Sequence, residues 1–526
     1  MNIEGKNLLG AAESAEGATT FFAINPSTGK KMEPAFHEAT ISEVDQAVKK
    51  ANHAFQLYRT LSGERRAEFL VRIAEEIMVL GDALITRCSE ETGLPEARLM
   101  AERDRTINQL NLFASWIKEG SWVDARIETA NPDRKPLPKS DIRSMHKALG
   151  VVGVFGSSNF PFAFSTAGGD TVSALAAGCT VVIKAHPAHP GTGELVAKAI
   201  LRAVKKCNIP DGTFTMVHGA STAVGLAIVR HPLVTAIGFT GSFRGGKALF
   251  DEANSRPIPI PVYAEMSSTN PVFILPRILQ QKGNTIAKEL AASVTLGVGQ
   301  YCTNPGLVFV QNTSDGNEFT QSLSKQFEDA QTGVMLSSGI QNNYQRGIDK
   351  LKQVDEVQVL ASGKVSGSEL QGVAYVLQSS VTNFLNHHEL EEEVFGPSTV
   401  TLMAEDKNQI LMAANKLGGH LTASIHGTPE DLADYAELIP ILEKKAGRLI
   451  INEYPTGVEV CHSMVHGGPF PATSDSRTTS VGTSSITRFS RPVCYQNFPD
   501  VLLPDELKQD NPLGIWRLVN GERTKG

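Results

Sequence analysis

Val151-Val152-Gly153-Val154-Phe155-Gly156-Ser157-Ser158-Asn159-Phe160-Pro161 is the stretch that decides the fold. Five mostly branched or aromatic apolar residues make a short strand, and the Gly, Ser, Asn and Pro after them punctuate it as a loop. A helical segment is expected to follow as far as Ala177. The rhythm then repeats in Thr180-Val181-Val182-Ile183, in Thr213-Phe214-Thr215-Met216-Val217 and in Val234-Thr235-Ala236-Ile237-Gly238-Phe239, each set apart by a stretch of helix length. Such alternation argues for right-handed βαβ units and a parallel sheet. Ligands of these sheets bind in the loops at the carboxyl ends of the strands.

Upstream, Ser42 with Asp45 resembles a capping-box start. Val44, Ala47, Val48, Ala51, Phe55 and Tyr58 then mark one helical face. Further helices are expected through Leu70, Ile73, Ile77 and Leu80 and from Arg98 to Trp116. Pro132, Pro136 and Pro138 prevent a regular helix and read as a linker or exposed extension. Downstream, a second α/β block runs from about Glu265 to the region of Tyr454, with strands expected at 272–275, 307–310 and 449–451. The tail from Ser480 is polar and β-prone, and residues 505–526 are charged and expected to be peripheral.

With 526 residues, the chain is long for one core and points to two to four structural units. Its 49 basic against 56 acidic residues include no long basic run, so nucleic acid is not an expected partner. Six scattered cysteines without a CxxC suit free thiols in a reducing compartment, and no zinc-type Cys/His spacing appears. The N-terminus lacks an apolar run after a basic start. The most apolar stretch, 149–167, is broken by Asn159 and Pro161, so a cytoplasmic protein without a membrane span is expected.

One cysteine stands among small and turn-forming residues, in Leu296-Gly297-Val298-Gly299-Gln300-Tyr301-Cys302-Thr303-Asn304-Pro305-Gly306. A thiol attacks through its thiolate, so Cys302 as nucleophile needs a partner base or a favourable field. A buried structural cysteine carries the same local signal. Glu265 closes an apolar run, where burial would raise its pKa and suit it to general-base work. Asn159 can donate a side-chain N–H to an oxyanion. The turn Gly238-Phe239-Thr240-Gly241-Ser242-Phe243-Arg244-Gly245-Gly246-Lys247-Ala248 follows a strand and opens a helix, a context that holds phosphate. It almost spells a triphosphate P-loop, but Ala248 has no hydroxyl for magnesium, so a dinucleotide fits better than ATP. In Lys184-Ala185-His186-Pro187-Ala188-His189-Pro190, Lys184 is expected at ribose or phosphate. The two His lack a third metal ligand.

In order and spacing, Ser158-Asn159-Phe160-Pro161, Lys184, Phe239-Thr240-Gly241-Ser242 with Gly246, Glu265, Gly299-Gln300-Tyr301-Cys302 with Asn304-Pro305-Gly306, and Glu393-Val394-Phe395-Gly396-Pro397 resemble the aldehyde dehydrogenase superfamily over about residues 20 to 500. The resemblance implies an α/β fold: a doubly wound parallel-sheet cofactor domain at 1–136 and 150–264, with 465–480 returning to it, and an α/β catalytic domain at 265–464. A small β bridging and oligomerisation element is expected at 137–149 and 481–505, in a homodimer or homotetramer. It implies that Cys302 attacks the aldehyde, that Asn159 and the Cys302 N–H hold the oxyanion, and that Glu265 activates the hydrolytic water. Lys184 is implied at the adenosine ribose, Phe239, Gly241, Ser242 and Gly246 around the pyrophosphate turn, and Glu393 with Phe395 at the nicotinamide ribose. No metal is required.

Glu265-Met266-Ser267-Ser268-Thr269-Asn270-Pro271 and Val465-His466-Gly467-Gly468-Pro469-Phe470-Pro471-Ala472-Thr473 are similar to the bacterial branch holding α-ketoglutaric semialdehyde (2,5-dioxopentanoate) and NADP-linked fatty aldehyde dehydrogenases. Oxidation of 2,5-dioxopentanoate to 2-oxoglutarate is the expected reaction; fatty or other aldehydes, and thioester-forming acyl reduction or transfer, are the alternatives. Pro187 stands where NAD-selective members tend to carry a repelling Glu. With Lys184 and His186 nearby, NADP is expected to be preferred, NAD remaining possible. Arg103 or Arg105 can supply a cation for a substrate carboxylate, while Ser158, in place of the common Trp, opens space near Phe160 in the substrate tunnel.

Overall fold

The computed structural model describes residues 2–365 and 370–526. Its first sheet runs, edge to edge, Val262–Glu265, Val234–Thr240, Val151–Phe155, Thr180–Lys184, Phe214–Val217, Asn7–Leu9 and Ala12–Ser14. The first five strands are parallel and the last two antiparallel. From the central strand Val151–Phe155 the chain winds outward through helices Gly169–Ala177 and Pro190–Lys206. Helix Thr222–Arg230 then carries it back across to Val234–Thr240 on the other side. The order therefore reverses between Phe155 and Phe239, and their loops splay apart there into a crevice. Both faces of this sheet are covered, and Val151–Phe155 is buried at every position, as a near-continuous apolar strand should be.

The helix expected directly after Phe155 begins only at Gly169. Residues 157–168 form tight turns, because the buried carboxylate of Glu102 accepts the N–H groups of Phe162 and Ala163 at 2.8 and 3.1 Å and Ser157 N donates to Phe164 O. A second local correction concerns the first helix, Ile41–Tyr58. Its capping box pairs Thr40 with Glu43, two residues before the expected Ser42 and Asp45.

The second sheet runs Gln358–Ser362, Tyr375–Ser380, Ser398–Ala404, Leu307–Gln311, Val272–Ile274, His420–His426 and Ala446–Ile451, parallel except for its first strand. Three of these strands coincide with expected ones. Ser398–Ala404 and His420–His426 went unread because they are buried on both faces, which removes the alternation that marks a strand, and because Ser, Thr and His interrupt their apolar runs.

A third sheet joins Ser490–Gln496, Ile142–Ala148, Arg126–Glu128, Arg517–Val519 and Glu522–Thr524. It reaches beyond the ranges 137–149 and 481–505 and overturns the peripheral reading of the tail. Arg143 is buried and donates to the Leu507 carbonyl at 2.5 Å, while Leu507, Ile515 and Arg517 lie inside. Charge in the sequence hid this, since the buried Arg517 spends its terminal donors on the Lys508 and Gln509 carbonyls.

Candidate active site

Residues 465–480 lie between the first two sheets. Met266 N donates to Ala472 O and Ala264 N to Ser474 Oγ, which ties the segment to the edge strand that ends in Glu265. On its other side, a Cβ on Gly468 would stand 2.1 Å from the His420 carbonyl oxygen, so the chain can pass there only as glycine. Clamped in this way, His466 and Ser480 face Glu265. His466 Nε2 is 3.0 Å from Glu265 Oε1, and Ser480 Oγ donates to Glu265 Oε2 at 2.7 Å. Glu265 is 4% exposed.

Cys302 approaches the same imidazole, with Sγ 3.5 Å from His466 Nε2. Its loop leaves helix Pro276–Thr295 through three consecutive left-handed residues, Gly297, Val298 and Gly299, at φ 55°, 60° and 64°. For the branched Val298 this conformation is strained, and strain of this kind gathers at functional loops. A Cβ on Gly299 would stand 2.3 Å from the Gly396 backbone. Gly299 therefore docks the cysteine loop against the 393–397 segment, while a Cβ on Gly297 would meet the Tyr301 ring and Arg98. Asn270, buried and left-handed at φ 49°, donates to both the Cys302 and Asn304 carbonyls at 2.9 Å. Asn159 Nδ2 donates to the Gln300 carbonyl at 3.0 Å, which holds its amide against the loop with a second N–H to spare. Among the described residues the Cys302 N–H has no acceptor.

Electrostatics differ from the sequence expectation. Burial pushes Glu265 up, but the pull of His466 and the hydrogen bonds from His466, Ser480 and Cys302 outweigh it and hold the carboxyl below its ordinary range. Burial, and then the charge of Glu265, push the Cys302 thiol well above its ordinary range. The resting pair is therefore a thiol beside a carboxylate.

Of the remaining anticipated residues, Lys184 and Phe239 lie at the carboxyl ends of strands of the first sheet. Lys184 Nζ donates to the Gly219 carbonyl at 2.5 Å, and burial lowers its pKa to about 8 against the opposing charge of Glu38. Glu38, which sequence reading passed over, is fixed by Ala220 N, Ser221 N and the Ser221 hydroxyl. His186 accepts from Ala188 N and stacks on His189, and burial with two neighbouring cations or imidazoles puts its pKa well below its ordinary value. It is a neutral ring beside the Lys184 ammonium. Ser242 caps helix Phe243–Asn254, and the missing Cβ of Gly246 lets Met266 and Phe239 pack closely under that helix start. Glu393 and Phe395 share a cleft with Ser268, Thr269 and Tyr301. Burial raises Glu393 to about 7, against hydrogen bonds from Ser267 and Ser268. The Ser-Ser after the base therefore steadies this carboxylate.

Besides Glu38, sequence reasoning missed His466, Ser480 and Asn270. Each was quoted within a motif or tail, but an imidazole 201 positions from its carboxylate partner leaves no local spacing to read.

A crevice at a topological switch point, with thiol, carboxylate and amide at its mouth, suits an oxidoreductase that works through a covalent acyl group on sulfur. The aldehyde dehydrogenase family model matches residues 12–471, and the chain belongs to that family: it is an enzyme that oxidises aldehydes, and the family works with NAD(P). Over 99% of its length the chain is 47% identical to "Alpha-ketoglutaric semialdehyde dehydrogenase 2" of Azospirillum brasilense, of which 100% is covered. It is also 47% identical to an α-ketoglutaric semialdehyde dehydrogenase of Acinetobacter baylyi, with 99% of each chain covered. Among solved structures, betaine aldehyde dehydrogenase from Staphylococcus aureus in complex with NAD+ superposes with TM-score 0.78 at 21% identity, over 94% of this chain and 96% of that one. At that identity the likeness establishes the fold.

Proposed function

We propose that this chain oxidises 2,5-dioxopentanoate to 2-oxoglutarate through a thioester on Cys302. The observation that carries the chemistry is the shared contact of Glu265 and Cys302 with one imidazole edge. As the sulfur attacks the aldehyde carbon, its proton passes to the Glu265 carboxylate, and the oxygen of the resulting thiohemiacetal faces the spare Asn159 N–H and the Cys302 N–H. Oxidised NAD(P), when bound, takes up the hydride. Departure of hydride from the oxyanion leaves the thioester, and Glu265 passes the thiol's proton to solvent. The carboxylate then draws a proton from water, whose oxygen attacks the acyl carbon, and returns it to the departing sulfur, releasing the acid and the thiol. The role of Ser480 and His466 is to orient the carboxylate and keep it anionic. No step calls for a metal ion.

The donor set fits a dinucleotide. Lys184 and Glu38 stand at one end of the crevice, the start of helix Phe243–Asn254 offers N–H groups to the pyrophosphate, and Glu393 can accept ribose hydroxyls. On this reading residues 1–136, 150–264 and 465–480 serve the cofactor and 265–464 the acyl chemistry. NADP is favoured because Pro187 brings no carboxylate to the adenosine end, Lys184 being the cation for a 2′-phosphate. Specificity constants for NAD and NADP test this, and a strong NAD preference would overturn it.

Near-identical length and 47% identity to the two semialdehyde dehydrogenases support the substrate. Production of NAD(P)H from 2,5-dioxopentanoate in preference to hexanal tests it. The open edge strand Ser490–Gln496, beside exposed Phe498, Val501 and Leu502, supports a homodimer or homotetramer built through that edge. No described helix is long and apolar enough to cross a membrane, and the chain's free thiols support a cytoplasmic site.

A further inference from the structure

Helix Glu96–Glu119 places three long charged side chains beside the 159–164 loop. Two of them are spent on holding it. Glu102 accepts Phe162 N and Ala163 N, while Arg98 Nη2 donates to the Asn159 carbonyl at 2.8 Å with its guanidinium 4.8 Å from the Tyr301 ring. Arg105 has no such task. Only its Nε reaches a partner, the Val458 carbonyl, at 3.4 Å.

Both terminal nitrogens of Arg105 are closed off from solvent without a hydrogen-bond partner. It is alone among the described arginines in this. Its neighbours differ: Arg103 pairs with Asp104, and Arg448 spends both terminal nitrogens on the Gly457 and Pro455 carbonyls at 2.7 Å. A buried guanidinium with idle donors is costly, and such a group calls for an explanation. Its location supplies one. Arg105 lies 5.2 Å from the Phe164 ring centre, Phe164 lies 5.9 Å from His466, and His466 touches the Cys302 sulfur. Phe160, Phe164, Val458, Val460 and Met464 pack together around this path.

We infer that Arg105 seats the carboxylate of an aldehyde acid, its two terminal nitrogens forming a bidentate pair while the aldehyde carbon lies at Cys302 and the connecting methylenes cross the Phe160 and Phe164 rings. This rests on aldehyde oxidation at Cys302. The fixed fork of a guanidinium matches a carboxylate at two points, and the low-dielectric surroundings make the pair selective for charge as well as shape. A fatty chain would leave the guanidinium bare, so the site rejects it by loss rather than by clash.

The test compares succinic semialdehyde with butanal, its neutral counterpart of equal chain length, in the wild-type enzyme, Arg105→Met and Arg105→Lys. The ratio of kcat/KM for acid over neutral aldehyde is expected to fall about 10- to 100-fold in Arg105→Met, chiefly through KM, and to recover in part in Arg105→Lys. An unchanged ratio in Arg105→Met overturns the assignment. Should that variant not fold, the wild-type enzyme decides. Competition with butanal at least tenfold tighter for glutarate than for glutaramide supports the seat, and equal competition overturns it. Absence of NAD(P)H from either aldehyde in the wild-type enzyme is a different result, which removes the underlying reaction and the seat with it.

Discussion

The imidazole of His466 stands 3.0 Å from Glu265 Oε1 and 3.5 Å from the Cys302 sulfur, so one nitrogen borders both the carboxylate and the thiol. With Glu265 anionic, Nε2 carries the proton and donates to it. The other ring nitrogen, Nδ1, is buried without a partner, and the place of the ring is set by the clamped 465–480 segment.

His466→Phe removes the largest of the influences that hold Glu265 down and leaves burial opposed only by the hydrogen bonds from Ser480 and Cys302. The carboxyl then titrates higher, and the proton it must accept is blocked at low pH by one already there. The acid limb of the kcat profile is therefore expected to move to higher pH, with kcat near neutrality reduced by about tenfold or more for the loss of a donor to a buried charge. His466→Gln, which can still donate, should recover part of both. A profile whose acid limb does not move would show that Glu265 is not tuned by the ring.

Gly299→Ala tests the docking of the cysteine loop. Its left-handed backbone costs an Ala about 1–2 kcal/mol, and the added Cβ meets the Gly396 backbone, which has no flexible side chain to yield. A lower Tm is expected, together with faster alkylation of Cys302 as the loop lifts from Asn270 and His466. An unchanged Tm and unchanged alkylation rate would mean that the contact is not structural.

The end of the crevice proposed for adenosine carries two opposing charges, Lys184 and Glu38. Lys184 is a cation below its pKa of about 8 and is lost as a cation above it. The advantage of NADP over NAD in kcat/KM should therefore hold below pH 8 and shrink above it. Glu38→Gln removes the negative partner and should raise the NADP to NAD ratio several-fold. A ratio that ignores both pH and this substitution would place the 2′-phosphate elsewhere.

Sequence and structure agree most closely where chemistry and backbone share a local signal. The strand ends at Phe155, Lys184, Phe239 and Glu265 were legible because each is an apolar run stopped by Gly, Asn, Pro or a charge, and the sheet brings those ends to one crevice. Cys302 was legible from its glycines, although their purpose was not: close approach to Gly396 is a tertiary fact. The raised pKa expected for Glu265 failed because burial was visible as an apolar run, whereas the counteracting imidazole arrives from residue 466. Arg105 sat among Glu102 and Asp104, which looked like a solvated ion-paired face. Only the fold shows Asp104 taken by Arg103 and Glu102 by the backbone of Phe162 and Ala163.

The account turns on an acyl group carried by Cys302 and released by Glu265. Glu265→Gln cannot take a proton from water, but it also removes the charge that pushes the Cys302 thiol up, so the sulfur can still attack with solvent taking its proton. Mixing this variant with 2,5-dioxopentanoate and NADP and measuring the intact and peptide masses tests that claim most directly. The expected result is a thioester adduct on the peptide containing Cys302 with steady turnover lowered about 100-fold or more. Wild-type turnover without any adduct, or steady NADPH production by Cys302→Ala, would contradict it.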